Sequence, residues 1–238
     1  MYRPKRFRRD STGKAGSQEL ETVFMKRRTR IVVKTVAWVG LLLPMAWLVY
    51  GAVSNTLGPD PTGEIANDTG QTALWMLAGT LAISPLRRMW SKLNWLIQFR
   101  RLVGLFAFFY ACVHMLTWVA LYSNFSVRDM IADVLKRRFI AVGMITFLLL
   151  LPLAATSTNW AIRKMGGKRW NLLHKLIYAA AITATIHYWW KVKTGVLSPL
   201  PFTVVIAVLL LARPMMAWAG RKKGKSASQP ASEPANAG

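Results

Sequence analysis

Apolar residues in this chain come in long blocks, without the alternation of half-buried strands or the three-to-four spacing of surface helices. Six blocks stand out: 31–51 (IVVKTVAWVGLLLPMAWLVYG), 71–86 (QTALWMLAGTLAISPL), 102–122 (LVGLFAFFYACVHMLTWVALY), 139–157 (FIAVGMITFLLLLPLAATS), 168–191 (KRWNLLHKLIYAAAITATIHYWWK) and 200–219 (LPFTVVIAVLLLARPMMAWA). Each is close to the ~20 residues that a helix needs to cross a bilayer. The expected fold is all-α, an integral membrane six-helix bundle over residues 31–219. A basic arm, 1–30, precedes it, with little fixed structure expected before Leu20. A Ser/Ala/Pro-rich tail, 220–238, follows with no capacity to fold. The first block is too long and too rich in Trp for a signal-peptide core, and no small-residue cleavage site follows it. It reads as a retained helix.

Composition points to lipid as the solvent. With 53% hydrophobic and only 17% charged residues, the chain has too little polar surface to coat a soluble globule. Charge is lopsided, with 32 Lys+Arg against 9 Asp+Glu. In a soluble protein that balance would suggest nucleic acid. Here the cations sit in short clusters between apolar blocks, the pattern of positive-inside membrane topology, and no nucleic-acid partner is expected. Six crossings place both termini on one side, where the basic segments 1–30, 87–101, 163–169 and 221–225 also fall; that side is expected to be cytoplasmic. The loop 123–138, with Arg128, Lys136, Arg137 and Arg138, lands outside and breaks the pattern. All nine carboxylates lie outside the blocks, which argues against proton-coupled transport. No internal repeat and no Gly-rich dinucleotide fingerprint is evident. The single cysteine, Cys112, rules out an internal disulfide or a cysteine-held iron–sulfur cluster.

The chain has three histidines, and every one lies in an apolar block: His114 in the third, His174 and His187 in the fifth. A buried imidazole is costly unless it is bonded, so each is either a hydrogen-bond bridge between helices or a ligand. Three such rings, with none in any loop, favour axial ligation of haem iron in a bundle core. Thirteen residues of unbroken helix rise roughly 20 Å and turn by roughly 140°, so His174 and His187 belong near opposite membrane faces and on different flanks. Depth pairs His114 with His187 as the outer site. Thirteen residues before His114 stands Arg101, where a symmetric second site would place a histidine. His174 would then bind an inner haem alone or with another partner. Arg100 and Arg101 would either grip haem propionates or a flavin phosphate, or serve as boundary charge.

The segments RRLVGLFAFFYACVHMLTW, TSTNW followed by GKRWNLLHKLIY, and IHYWWKVK, with PDP at 59–61, TGQTAL at 69–74 and SPLRR at 84–88, resemble the MsrQ family. These are the haem-binding membrane subunits of bacterial periplasmic methionine-sulfoxide reductase systems, part of the ferric-reductase-like transmembrane group. The resemblance covers residues 31–215. It implies an inner-membrane b-type cytochrome whose haem histidines are His114, His174 and His187, with FMN as a further cofactor. It also implies electron delivery to a periplasmic molybdenum-containing reductase that repairs oxidised proteins. NADPH oxidases of the same group carry a nucleotide domain after the last span, where this chain has a short low-complexity tail. A separate donor is therefore expected, either the quinone pool or a cytosolic flavin reductase, and substrate catalysis belongs to the partner. Two other functions fit the same residues: a self-sufficient ferric or quinone reductase, and a small transporter or scaffold with structural histidines.

Overall fold

The computed structural model describes residues 13–192 and 198–226, and all regular structure among them is helical. The chain divides into two compact units, Met1–Leu43 and Pro44–Gly238. Helix α1 (Gly13–Val53) starts in the first unit, seven residues earlier than Leu20, so much of the basic arm is helical. Residues 1–12 lie outside the described residues. Val32, Val36, Trp38, Val39 and Leu43 are exposed along α1, as befits a helix whose neighbour is lipid.

The second unit holds the remaining helices: α2 (Pro61–Met89), α3 (Arg100–Thr117), α4 (Val127–Lys136), α5 (Arg138–Ala155), α6 (Asn159–Met165), α7 (Gly167–Leu173), α8 (Leu176–Lys191) and α9 (Leu200–Ser226). The PDP motif starts α2: Asp60 caps it, its Oδ1 accepting from the Gly63 amide at 2.9 Å, while Pro61 takes the first helical position, where its missing N–H costs nothing. The basic segment before α3 is a 3-10 helix, Ser91–Phe99, and α3 ends in a π turn at Trp118–Tyr122. Helix α9 runs to Ser226, past the end expected at 219; the tail from 227 onward lies outside the described residues.

Two helix pairs form the frame. Helix α2 packs along α3, α5 along α8, and the pairs meet through α3 with α5 and α2 with α8. Leu77, Ala78 and Leu81 of α2, Ala107 of α3, Leu153 of α5, and Ala180 and Ala181 of α8 form one buried cluster with Phe202 and Ile206 of α9. The alanines let backbones approach closely, which is how helices associate where lipid removes the hydrophobic drive. Between α5 and α8, the Thr146 hydroxyl donates to Thr183 at 2.8 Å.

All six apolar blocks are helical, but among the described residues only three helical stretches combine the length and apolarity of a span: Ile31–Val53, Trp95–Tyr122 and Arg138–Ala155. The other three blocks each fall short of one measure or the other. Helix α2 is long enough at 29 residues but carries Gln71, Thr72 and Thr80 among its apolar positions. The apolar part of α9 is short, Leu200–Ala212. The fifth block is cut in two at His174 and Lys175, leaving α8 at 16 residues. Around the cut, the Lys175 amide donates to Leu172 and the Tyr178 amide to Lys175, bonds three residues back instead of four. The Trp170 carbonyl takes both the His174 amide and the His174 ring nitrogen, so the ring competes with the helical ladder where the helix breaks.

The loop 123–138 contains α4, whose Ser126 cap accepts from the Asp129 amide at 3.3 Å. Val127, Ile131 and Leu135 make an exposed apolar stripe on α4, opposite Asp129, Asp133 and Lys136. Arg128 and Lys136 of α4 are matched in number by Asp129 and Asp133, so the helix is amphipathic with no net charge, a build suited to a membrane interface.

Candidate functional site

His114 on α3 and His187 on α8 come together as the sequence predicted, with ring centroids 6.0 Å apart and planes at 83°. Each ring is held by the other helix of its pair. His114 Nδ1 lies 2.8 Å from the Ala66 carbonyl of α2, and His187 Nδ1 lies 2.6 Å from the Phe139 carbonyl of α5. A carbonyl can only accept, so each Nδ1 carries the proton and each Nε2 keeps its lone pair for a ligand. This is the outer-shell bond that fixes tautomer and ring orientation in metal-bound histidines.

A glycine sits one turn after each of those carbonyls. A Cβ on Gly70 would come within 3.0 Å of the His114 ring, and one on Gly143 within 2.8 Å of the His187 ring. Only glycine leaves room for imidazoles so close to a neighbouring helix. In both halves the histidine follows its carbonyl residue by 48 positions. Carbonyl, glycine and histidine therefore recur in register (66, 70, 114 and 139, 143, 187), an internal repeat that the side-chain sequence conceals. The same shift relates Arg101 to His174.

Both rings face a cavity of about 740 Å³ whose walls include Leu74, Leu77, Ile140, Met144, Phe147 and Leu150. That volume falls in the range of roughly 300–1,000 Å³ for small-molecule and cofactor sites. Among the described residues no group of three or more His, Cys, Asp or Glu comes together, so two imidazoles are what the site offers a metal. Two axial positions are what a porphyrin leaves on its iron. Two metal–imidazole bonds of about 2 Å each, with ring centroids roughly 1 Å farther out, put the centroids about 6 Å apart. Spacing, tautomer and apolar walls all fit haem.

His174 is placed differently. Its ring stacks on Trp170 at 3.8 Å and 27°, its Nδ1 is bonded to the Trp170 carbonyl at 3.1 Å, and its Nε2 is buried with no hydrogen-bond partner among the described residues. It does not line the cavity of the other two. Because the helix breaks at His174, the rise and turn calculated for thirteen unbroken residues do not describe its relation to His187. Arg100 and Arg101 open α3, close enough for their charges to act on the His174 ring. Arg101 donates to Asn159 Oδ1 at 2.6 Å and to the Ser157 carbonyl at 2.5 Å, clamping the turn between α5 and α6.

Trp47, Tyr50 and Trp190 are exposed, Trp118 and Tyr188 line the cavity, and Tyr122 lines it while half of its surface stays exposed. Sequence reasoning missed Gly70, Gly143, Arg137 and Lys191 as cavity residues. The equal spacing of glycines and histidines was a signal for the first two.

Residues 69–185 match the ferric reductase like transmembrane component family, so the frame of two helix pairs belongs to that class of membrane domain. A relative from Herminiimonas arsenicoxydans, the protein-methionine-sulfoxide reductase heme-binding subunit MsrQ, is 44% identical over 82% of this chain and 90% of its own length. Proteins of the same name from Ralstonia nicotianae and Rhodospirillum rubrum are 38% and 39% identical, over 81% and 86% of this chain and 89% and 97% of their own lengths. The chain belongs to the MsrQ family of membrane proteins. No solved structure matches it.

Proposed function

We propose that this protein is the membrane cytochrome of a methionine-sulfoxide reductase system, with His114 and His187 as the two axial ligands of one b-type haem. The observation that carries the reading is the facing pair of imidazoles, each fixed through Nδ1 to a backbone carbonyl across one apolar cavity. The names of the relatives, heme-binding subunits of protein-methionine-sulfoxide reductases, support both the cofactor and the end use. Haem, when bound, supplies a one-electron carrier. The chain's own work is to hold and tune it: carbonyls orient the imidazoles, glycines let them in, and apolar walls exclude water and raise the energetic cost of the ferric charge.

On this proposal the bundle crosses the bacterial inner membrane six times, with α2, α8 and α9 spanning beside the three helices that qualify by composition, and with both termini cytoplasmic. Basic segments on one side support that orientation. Electrons enter from the quinone pool or a cytosolic flavin reductase and leave to a periplasmic molybdenum-containing reductase. A second centre at His174 is supported by its buried Nε2, which has no hydrogen-bond partner among the described residues, and opposed by its stacking on Trp170. FMN rests on family resemblance, with Arg100 and Arg101 as the cations for its phosphate.

The test is the absorption spectrum of the detergent-purified protein with each histidine changed to Ala in turn. His114→Ala and His187→Ala should each abolish the low-spin haem bands, while His174→Ala keeps those of the His114–His187 centre. Parent spectra in all three variants would falsify the ligand assignment. Reduction of ferric chelates without a partner would instead favour a self-sufficient reductase.

A further inference from the structure

The haem cavity has two unlike ends. Toward one, its lining on α2, α3 and α5 is Leu74, Leu77, Ala111 and Leu150. Toward the other, one turn beyond His187 on α8 and at the start of α5, it carries Lys191 and Arg137, with Asn67 and Tyr122 beside them. Among the described residues these two cations are the only Lys or Arg side chains that line the cavity, and no carboxylate does. Lys191 is half-buried, and its Nζ donates to the neutral Asn67 Oδ1 at 3.1 Å. Among the described residues no carboxylate lies within ion-pair distance of Lys191. Arg137 meets Asp133 through Nε at 3.1 Å, one of its five N–H donors.

A half-buried ammonium whose hydrogen bond goes to a neutral amide oxygen is costly unless the site supplies an anion when filled. Protohaem is amphipathic in the matching way: apolar on three edges, with two carboxylates on the fourth. We propose that Lys191 and Arg137 are the propionate clamp of the His114–His187 haem, fixing its carboxylate edge at the Asn67–Tyr122 end of the cavity. The inference rests on the haem reading above and adds an orientation to it. At that end the cavity adjoins a smaller hollow of about 400 Å³, lined by Asp60, Glu64, Asn67, Tyr122 and Lys191. Lys191 therefore stands between the haem carboxylates and an acid-lined opening.

The test compares protohaem with its dimethyl ester, which offers His114 and His187 the same iron but no carboxylates. Full-length protein in detergent, depleted of haem, is titrated with each form by Soret absorbance. The parent protein should prefer protohaem by about tenfold or more, the scale of charge-assisted hydrogen bonds. Lys191→Gln and Arg137→Gln should each reduce that preference several-fold, the double variant should nearly abolish it, and Lys191→Arg should retain it. A merely structural role would weaken both haems alike, and an unchanged ratio in the variants overturns the proposal. If Lys191→Gln fails to accumulate, Arg137→Gln carries the same ratio test. The propionate bending bands in the resonance Raman spectrum of purified holoprotein give a second readout and should shift in each variant. Absence of a bis-imidazole spectrum with either haem counts against the ligand assignment; an intact spectrum with an unchanged ratio counts against the clamp alone.

Discussion

His114 and His187 differ from His174 in what surrounds an otherwise identical buried ring. The paired rings are pinned by carbonyls of a neighbouring helix, sit against glycines, and open onto a cavity. His174 bonds within its own turn, stacks on an indole, and marks a break in its helix. All three lie in apolar blocks of the sequence, a property that therefore identifies none of them as a ligand. What separates a ligand from a structural ring is which atoms hold it and whether space remains beyond its free nitrogen.

Removing either imidazole of the pair should have the largest effect, with loss of the low-spin haem. Next is Gly143→Ala: its Cβ would stand 2.8 Å from the His187 ring, so haem content per protein should fall several-fold. Gly70→Ala, with a 3.0 Å approach, should lower it less, and equal haem content in both variants would contradict the role given to the glycines. At the other region, Arg101→Gln cuts the clamp on Ser157 and Asn159. It should lower stability by about 1–3 kcal/mol in thermal unfolding in detergent, with the spectrum of the His114–His187 centre unchanged. A change in that spectrum would show that the two regions are coupled. The smallest effect belongs to Thr183→Val, which removes the bond from Thr146 and should cost about 0.6 kcal/mol.

Much of this was legible in the sequence. The six apolar blocks are all helical, and position alone paired His114 with His187, because both lie near the same end of their helices. The break at His174 was not legible, since neither Gly nor Pro marks it and the cause is a ring bonding its own turn. The Ala66 and Phe139 carbonyls carry no side-chain signature, so the repeat built on them escaped a search for similar residues. Arg137 reads as part of the basic loop that breaks the charge pattern and Lys191 as the end of the fifth block, and only packing shows that both line the cavity.

Electron paramagnetic resonance of the oxidised, purified protein tests the central claim most directly. Two imidazoles on one iron with planes at 83° should give a low-spin ferric signal of large g anisotropy, the mark of near-perpendicular axial rings. That signal should vanish in His114→Ala and in His187→Ala and persist in His174→Ala. A high-spin ferric signal in the parent protein, or a low-spin one that survives loss of either paired histidine, would contradict it.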